Sequence, residues 1–347
     1  MTESLTTNHP TPTTSSGRRQ RPRLRRLLRL RGLTWLVWRQ NRLAFWIGIG
    51  AAVAVAAYAI VRHQEMVTAI ADGHLDACRG TTVPAGDCSH RLNSFAQAYQ
   101  FPMRRPLQAM LALPLVFGVF LGGPQLAQEL ESGTYRTVCT QSVTQLRWFV
   151  AKLLVPVVLT ILISGTIAAA MTWWWRPAGS LLGGWFPWWQ WYPYDGIGPV
   201  VVGLSVLSLL IGVTAGLILR RTVLAMGATV AVSAAAMYLL ESVRGHLLPT
   251  TLATVRHPTG TAAPSNAWVL SEGATDATGR HVPDLPSCYA SDDYTNCLAQ
   301  HGRTGRWAEF HPSSHLWPLQ WAETGLCVLL AAGLAGLCVR WIRHRSA

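Results

Sequence analysis

Six apolar runs punctuate the chain, at Leu43 to Arg62, Leu107 to Gly123, Phe149 to Met171, Ile197 to Leu219, Thr222 to Leu240 and Trp317 to Val339. Each comes close to the ~20 residues that an α-helix needs to cross a bilayer. In a membrane a helix satisfies its own backbone polar groups, so runs of this length predict six spanning helices. The second run is short and contains Pro114, which neighbouring helices must accommodate. The pattern thus predicts an all-α polytopic membrane protein with six transmembrane helices. Two outer segments are long, His63 to Pro106 and Ser242 to Leu316, whereas Arg220-Arg221 alone joins the fourth and fifth spans in a tight turn.

Composition agrees, since half of the 347 residues are apolar and only 13% are charged. A soluble domain with an ordinary charged surface carries about twice that charge. The charges also predict orientation. With the N-terminus inside, the cytoplasmic segments hold 18 of the 29 Lys and Arg residues and three acids, Glu3, Glu129 and Glu131; the outer segments hold 11 basic residues and 13 acids. Basic residues near span ends mark the cytoplasmic side, so both termini are expected in the cytoplasm of a plasma-membrane protein. The net charge of +13 then reads as a topological signal rather than as nucleic-acid binding.

Residues 1 to 17 are rich in Ser, Thr and Pro and predict a disordered tail. Residues 18 to 42 contain ten arginines, with Leu24, Leu27, Leu28, Trp35 and Trp38 roughly on one helical face. That pattern suits an interfacial helix lying against anionic head groups. A cleaved signal peptide fits less well, because the first apolar run is long and five further spans follow.

Cys78 and Cys88 fall in the first outer segment and Cys288 and Cys297 in the last, two closely spaced pairs that predict disulfides in an oxidising compartment. Cys139, Cys327 and Cys338 are expected to stay free. A short amphipathic helix is expected around Arg91 to Tyr99. Residues Asn266 to Ser271 and Gly279 to Val282 pattern as a small hairpin, so the segment 241 to 316 reads as a compact extracellular cap. Seven tryptophans between Trp173 and Trp191 suggest an interfacial aromatic belt, with a cation-binding cage as the sharper alternative. Gly212 to Gly216 is a GxxxG, suited to close helix packing within the chain or between subunits.

The polar stretch Gln125 to Lys152 is different in kind. Glu129 and Glu131 close a helical extension of the second run, Gly133 supplies the permissive C-terminal position, and Thr140, Ser142 and Thr144 offer helix starts before the third run. Lys152 is the only lysine in the chain. The residues Glu129 to Thr134, Thr140 to Thr144 and Arg147-Trp148 resemble the membrane-spanning subunits of ABC transporters of the ABC-2 exporter type. The likeness extends to Trp35 through Gln40, Gly212 through Gly216 with Arg220-Arg221, and Trp317 through Gly325.

The resemblance implies an ABC-2 exporter-like permease in which residues 125 to 148 form a cytoplasmic coupling segment. It implies an ABC ATPase as partner and a second permease subunit, in a homodimer or heterodimer. Contact with the ATPase would fall to Glu129, Glu131, Gly133, Thr134 and Arg136. ATP and Mg would be bound by that partner, with no cofactor in this chain, whose sole lysine lacks the P-loop context Gly-Lys-Ser/Thr.

Membrane-enzyme chemistry finds little support. Ser205 has no histidine in the six runs to serve as base, and Tyr194-Asp195 has no second aspartate there to form a dyad. His311 and His315 are four apart, a metal-binding spacing on a helix, but Pro312 between them favours a solvated loop. Glu241 and Glu323 are the acids at the margins of the runs. Intramembrane carboxylates are costly, which makes Glu323 a possible gate. A different class of function also fits, a non-transporting sensor or immunity protein whose outer cap binds a ligand. The domains expected are therefore the tail 1–17, a basic segment 18–42, spans one to five over 43–240, the outer cap 241–316, and span six with a basic tail over 317–347.

Overall fold

The computed structural model describes residues 33–78, 87–133, 145–181, 187–257, 261–283, 285–291 and 293–345. Six helices among them are long and apolar enough to cross a membrane. Helix α1 (Leu33–Asp72) carries the first run and continues through Trp35 and Trp38 without a break. Those residues are thus continuous with the spanning helix, and 1–32, the rest of the expected tail and basic segment, lie outside the described residues. The second run sits inside one helical rod, α2 (Asp87–Glu131). Two π-helical turns, Ala96–Gln100 and Phe117–Gly122, interrupt its α-helical geometry, and Pro106 and Pro114 are absorbed within it. The expected helix around Arg91 to Tyr99 is the outer end of this rod. Helices α3 (Gln145–Leu181), a short α4 (Trp191–Gly196), α5 (Val200–Leu219) and α6 (Thr222–Val243) follow.

Helix α5 is the axis of the bundle. In its most apolar stretch 72% of residues are buried, against 17% in the first and last spans. Its two-residue link to α6 works because Arg220 adopts a left-handed backbone conformation (φ 55°) that ends α5 abruptly. The GxxxG packs inside the chain. A Cβ on Gly212 would stand 2.8 Å from the backbone nitrogen of Gly123, and one on Gly216 2.7 Å from the Gly123 carbonyl oxygen. Without side chains there, α5 lies directly on the backbone of α2, with Ser208 and Ser233 hydrogen-bonded at 2.8 Å between α5 and α6.

The segment between α6 and the last span holds a four-stranded antiparallel sheet built from β1 (Thr251–Val255), β2 (Trp268–Asp276), β3 (His281–Val282) and β4 (Arg303–His311) in the order β1-β4-β2-β3. The hairpin expected between Asn266–Ser271 and Gly279–Val282 forms from other residues: Trp268, Val269 and Ser271 pair with β4, and it is Ala274 and Thr275 of β2 that face Val282 and His281. The Asp276 carboxylate fixes the turn. It accepts from the Thr278 hydroxyl and from the backbone N–H of Thr278 and Arg280, and these bonds hold its pKa down at about 2. Strand β4 is the centre of the sheet and pairs with both β1 and β2. A short helix, α7 (Tyr294–Gln300), precedes it, and the last span, α8 (Leu316–Arg345), leaves from its far end.

Both predicted disulfides are present. Cys78–Cys88 closes the link between α1 and α2, and Cys288–Cys297 staples the segment before β4, with Cα atoms 5.7 and 5.6 Å apart. Cys327 and Cys338 are free and buried, as expected, while Cys139 lies outside the described residues. The tryptophan cluster divides in two. Trp173 and Trp191 are exposed, but Trp174, Trp175 and Trp188 are buried in the core, so the belt reading holds for only part of the cluster. Trp185 lies outside the described residues.

The glycine contact yields a test. Gly212→Ala should cost about 1–3 kcal/mol through overpacking against α2, read as a lower melting temperature in detergent. Gly227→Ala, where a Cβ meets nothing within 4 Å, should leave it unchanged.

Candidate functional site

Two buried charge clusters sit at opposite ends of the bundle. At the end where α2 finishes, Glu129 on the last turn of α2 forms an ion pair with Lys152 on α3. The Lys152 ammonium also lies 3.5 Å from the Gln125 carbonyl oxygen and 5.3 Å from the centre of the Trp148 ring. Lys152 is 5% exposed and the Glu129 side chain 17%, so the ammonium is shielded from water while its partner stays partly open to it. Gln40 reaches Glu129 from α1 at 3.5 Å. One carboxylate thereby joins α1, α2 and α3.

Glu131, two residues on and exposed, does something different. Its carboxylate accepts from the backbone N–H of Thr222 at 3.0 Å and from the Thr222 hydroxyl at 2.8 Å. Arg221, which precedes α6 in an extended conformation, offers that helix no cap of its own. Glu131 therefore serves as the N-terminal cap of α6 from a neighbouring helix, an arrangement the helix dipole favours. Gly133 follows at φ 71°, the left-handed conformation expected of a residue that ends a helix. Thr134 and Arg136 lie outside the described residues. Of the expected coupling residues, the structure thus brings Glu129 and Glu131 into contacts within the chain and sets Gly133 at the exit.

At the other end the possible gate, Glu323, is fully buried on α8 and grips Arg244. The guanidinium donates from Nε to Oε2 at 2.8 Å and from Nη2 to Oε1 at 3.1 Å, and the same Nη2 pairs with Asp195 of α4. Arg244, just past α6, is 3% exposed, and its guanidinium lies 3.8 Å from the centre of the Tyr194 ring. One arginine therefore clamps α4, α6 and α8 together. Gln320, one turn before Glu323, fixes the backbone beside it, donating to the Tyr194 carbonyl at 2.7 Å and accepting from the Val200 N–H at 3.1 Å. Gly198, between those residues, has φ 67° and donates its N–H to Thr172 of α3 at 2.8 Å.

The cluster carries two carboxylates and one guanidinium. Burial is the main reason that the Asp195 pKa is pushed up to about 7; Arg244 opposes this, while the charges of Glu323 and Glu241 add to it. Burial, followed by the charge of Glu323, raises the Tyr194 phenol. The two carboxylates share an arginine rather than a proton, so the arrangement is a structural clamp and not an aspartyl-protease dyad. Ser205 donates its hydroxyl to the Val201 carbonyl at 2.6 Å inside α5, the ordinary fate of a helical serine.

The solvated-loop expectation fails for His311. It is fully buried at the end of β4, with Nε2 3.0 Å from the Gly245 carbonyl oxygen and Nδ1 3.0 Å from His315 Nδ1. It ties the sheet to the residue next to Arg244. Trp188 adds a second tie, donating its indole N–H to the Asn266 carbonyl at 3.1 Å. Cys288, Cys297 and His301 cluster tightly, but the two sulfurs are consumed by their disulfide. Glu241 is exposed and lies outside the clamp.

Arg244 was not legible as a site residue, because a lone arginine just past a span reads as an outer-loop charge. Its signal was the pair of acids, Asp195 and Glu323, left at apolar margins without a named partner.

With this geometry in place, the chain can be set among known proteins. Residues 49–244 match the ABC-2 membrane transporter related family, which covers more than half of the chain. The chain belongs to that family and is a multi-pass membrane protein of the transporter permease type, whose membrane domain is not itself catalytic. No curated protein and no solved structure matches it.

Removing the shared cation tests the clamp. Arg244→Met should cost about 3–5 kcal/mol, since it strands buried carboxylates, and the triple variant that adds Asp195→Asn and Glu323→Gln should recover most of that loss. Because the native Asp195 carboxyl holds its proton more tightly than the unfolded one, its contribution to stability falls as pH rises from about 4 to about 7, then levels off. Melting curves of wild type and Asp195→Asn across that range should differ in slope, with the variant flatter.

Proposed function

We propose that this chain is the permease subunit of an ATP-driven exporter, working as a dimer with a separate ABC ATPase docked beneath residues 125–148. ATP and Mg belong to that partner, both termini of this chain face the cytoplasm, and the second permease subunit is another copy or a close relative.

The observation that carries this reading is how the end of α2 is anchored. Glu129 binds the residues of α1 and α3 that flank it, and Glu131 caps α6. Displacement of the coupling segment where it continues past Gly133 would therefore be delivered to four spanning helices. Nucleotide can bias the spans only if the ATPase grips this segment differently in its two states. Contact with the ATPase falls to Glu129, Glu131, Gly133, Thr134 and Arg136, and the partners that Glu129 and Glu131 have within the chain would carry that contact into the bundle. The possible gate, Glu323, is a latch in this scheme. Opening an outward path past α8 requires the Arg244 clamp to loosen, and the raised pKa of Asp195 weakens its hold on Arg244 near neutral pH.

Purification from native membranes should recover an ATPase chain with the permease, whereas a stand-alone sensor would come alone. In the reconstituted complex, Arg136→Glu should reduce permease-stimulated ATP hydrolysis by roughly fivefold or more, the usual scale of coupling between sites, without loss of membrane insertion. Unchanged stimulation would remove the coupling segment from the mechanism. A membrane-impermeant thiol reagent should fail to modify Cys139 in intact cells and should modify it in inverted vesicles; labelling from outside would reverse the topology.

A further inference from the structure

Helices α3 and α8 both lean on α5 but barely touch one another, and the gap between them is an open groove. Its inner and middle part encloses about 410 Å³, lined by apolar residues apart from Thr324. Leu154, Val157 and Ile161 of α3 form one wall, Val206 of α5 the floor, and Val328 and Ala332 of α8 the other wall. Val202 is shared with a second pocket of about 370 Å³ above it, where Trp173 and Arg176 stand. Each volume is within the roughly 300–1,000 Å³ of a small-molecule site. On α3 the lining positions recur at three- and four-residue intervals from Leu154 to Arg176, so they share one face. That stretch rises about 33 Å at 1.5 Å per residue, close to the ~30 Å hydrocarbon thickness of a bilayer.

Chemistry changes only at the outer end. Arg176 is exposed there, with its guanidinium 5.9 Å from the centre of the Trp317 ring. Among the described residues no carboxylate lines either part of the groove. A second copy of this chain, related by an axis along the membrane normal, would bring Arg176 towards Arg176 at the same depth with no acid to separate them. An uncharged apolar ligand would leave the guanidinium unpaired. A lipid phosphate supplies the missing charge at head-group depth, where the flanking indoles of Trp173 and Trp317 also belong.

We infer that the α3–α5–α8 groove binds an anionic phospholipid, with its phosphate at the Arg176 guanidinium and an acyl chain laid along α3 towards Leu154. The site lies on the flank of the bundle, away from the coupling segment and the Arg244 clamp. Its occupancy does not require ATPase docking, so it is tested separately from the exporter reading.

The test uses the full chain in phosphatidylcholine nanodiscs containing a minority of phosphatidylglycerol with a photoreactive group on its acyl chain. The equally labelled phosphatidylcholine serves as control. Cross-links should map to the groove faces of α3 and α8 and favour phosphatidylglycerol by about fivefold, the worth of one basic residue near an anionic head group. Arg176→Gln should erase the headgroup preference while leaving the melting temperature unchanged. Ala332→Phe, which fills the groove from an exposed position, should reduce labelling by both lipids. Equal labelling by both headgroups in the wild type, or a preference that survives Arg176→Gln, overturns the assignment. So does efficient disulfide trapping between two Leu154→Cys chains, which would make the groove an interface between copies.

Discussion

A guanidinium buried between two carboxylates is the constraint on which the sheet-bearing end of this molecule depends. Arg244, Asp195 and Glu323 come from three elements far apart in sequence, and none of them is tolerable alone at such burial. Each is therefore fixed by the others. The clamp sets where the short α4 lies, where α6 ends and how α8 begins, and Gln320 transmits that position to the backbone entering α5. The outer sheet is tied to the same place, because His311 bonds the carbonyl next to Arg244.

The other end of the bundle obeys the same rule with different residues. Lys152 is buried only because Glu129 meets it, and α6 starts where it does because Glu131 caps it. Between the two ends runs α5, whose glycines let it lie directly on α2. Close-packed interiors shift between discrete arrangements rather than deform continuously. A bundle pinned by charge at both ends and packed backbone to backbone in the middle is suited to move as connected rods.

Much of this was legible in the sequence, for physical reasons. Runs of ~20 apolar residues have few alternatives to spanning helices, and all six were found at their places. Closely spaced cysteines in the outer segments paired as expected, and the GxxxG announced a close approach, though its partner helix was not evident. The unread parts depend on distant pairing. Strand β4 (RTGRWAEFH) alternates poorly, and it is placed in the sheet by backbone pairing with β1 and β2, which leaves no mark in the side-chain pattern. His311 looked solvated because Pro312 argued correctly against a helix, yet a strand end buried it instead. Trp174 and Trp175 looked interfacial by composition, but the helical phase of α3 turned them inward while leaving Trp173 outside, stacked at 3.7 Å on His63. Glu129 and Glu131 were recognised as belonging together in the coupling segment; that they face back into the chain depended on Lys152, Gln40 and Thr222, none of which is near in sequence.

The central claim is that buried charges in this bundle are held by their partners and position the helices through them. A double-mutant cycle on Lys152→Met and Glu129→Gln, followed by thermal unfolding in nanodiscs, tests it most directly. Each single change should destabilise the protein, and the double variant should recover most of the loss, giving a coupling energy of about 1–3 kcal/mol. Strictly additive losses would contradict it, since they would mean that the two side chains contribute independently and that the ion pair does not organise this end of the bundle.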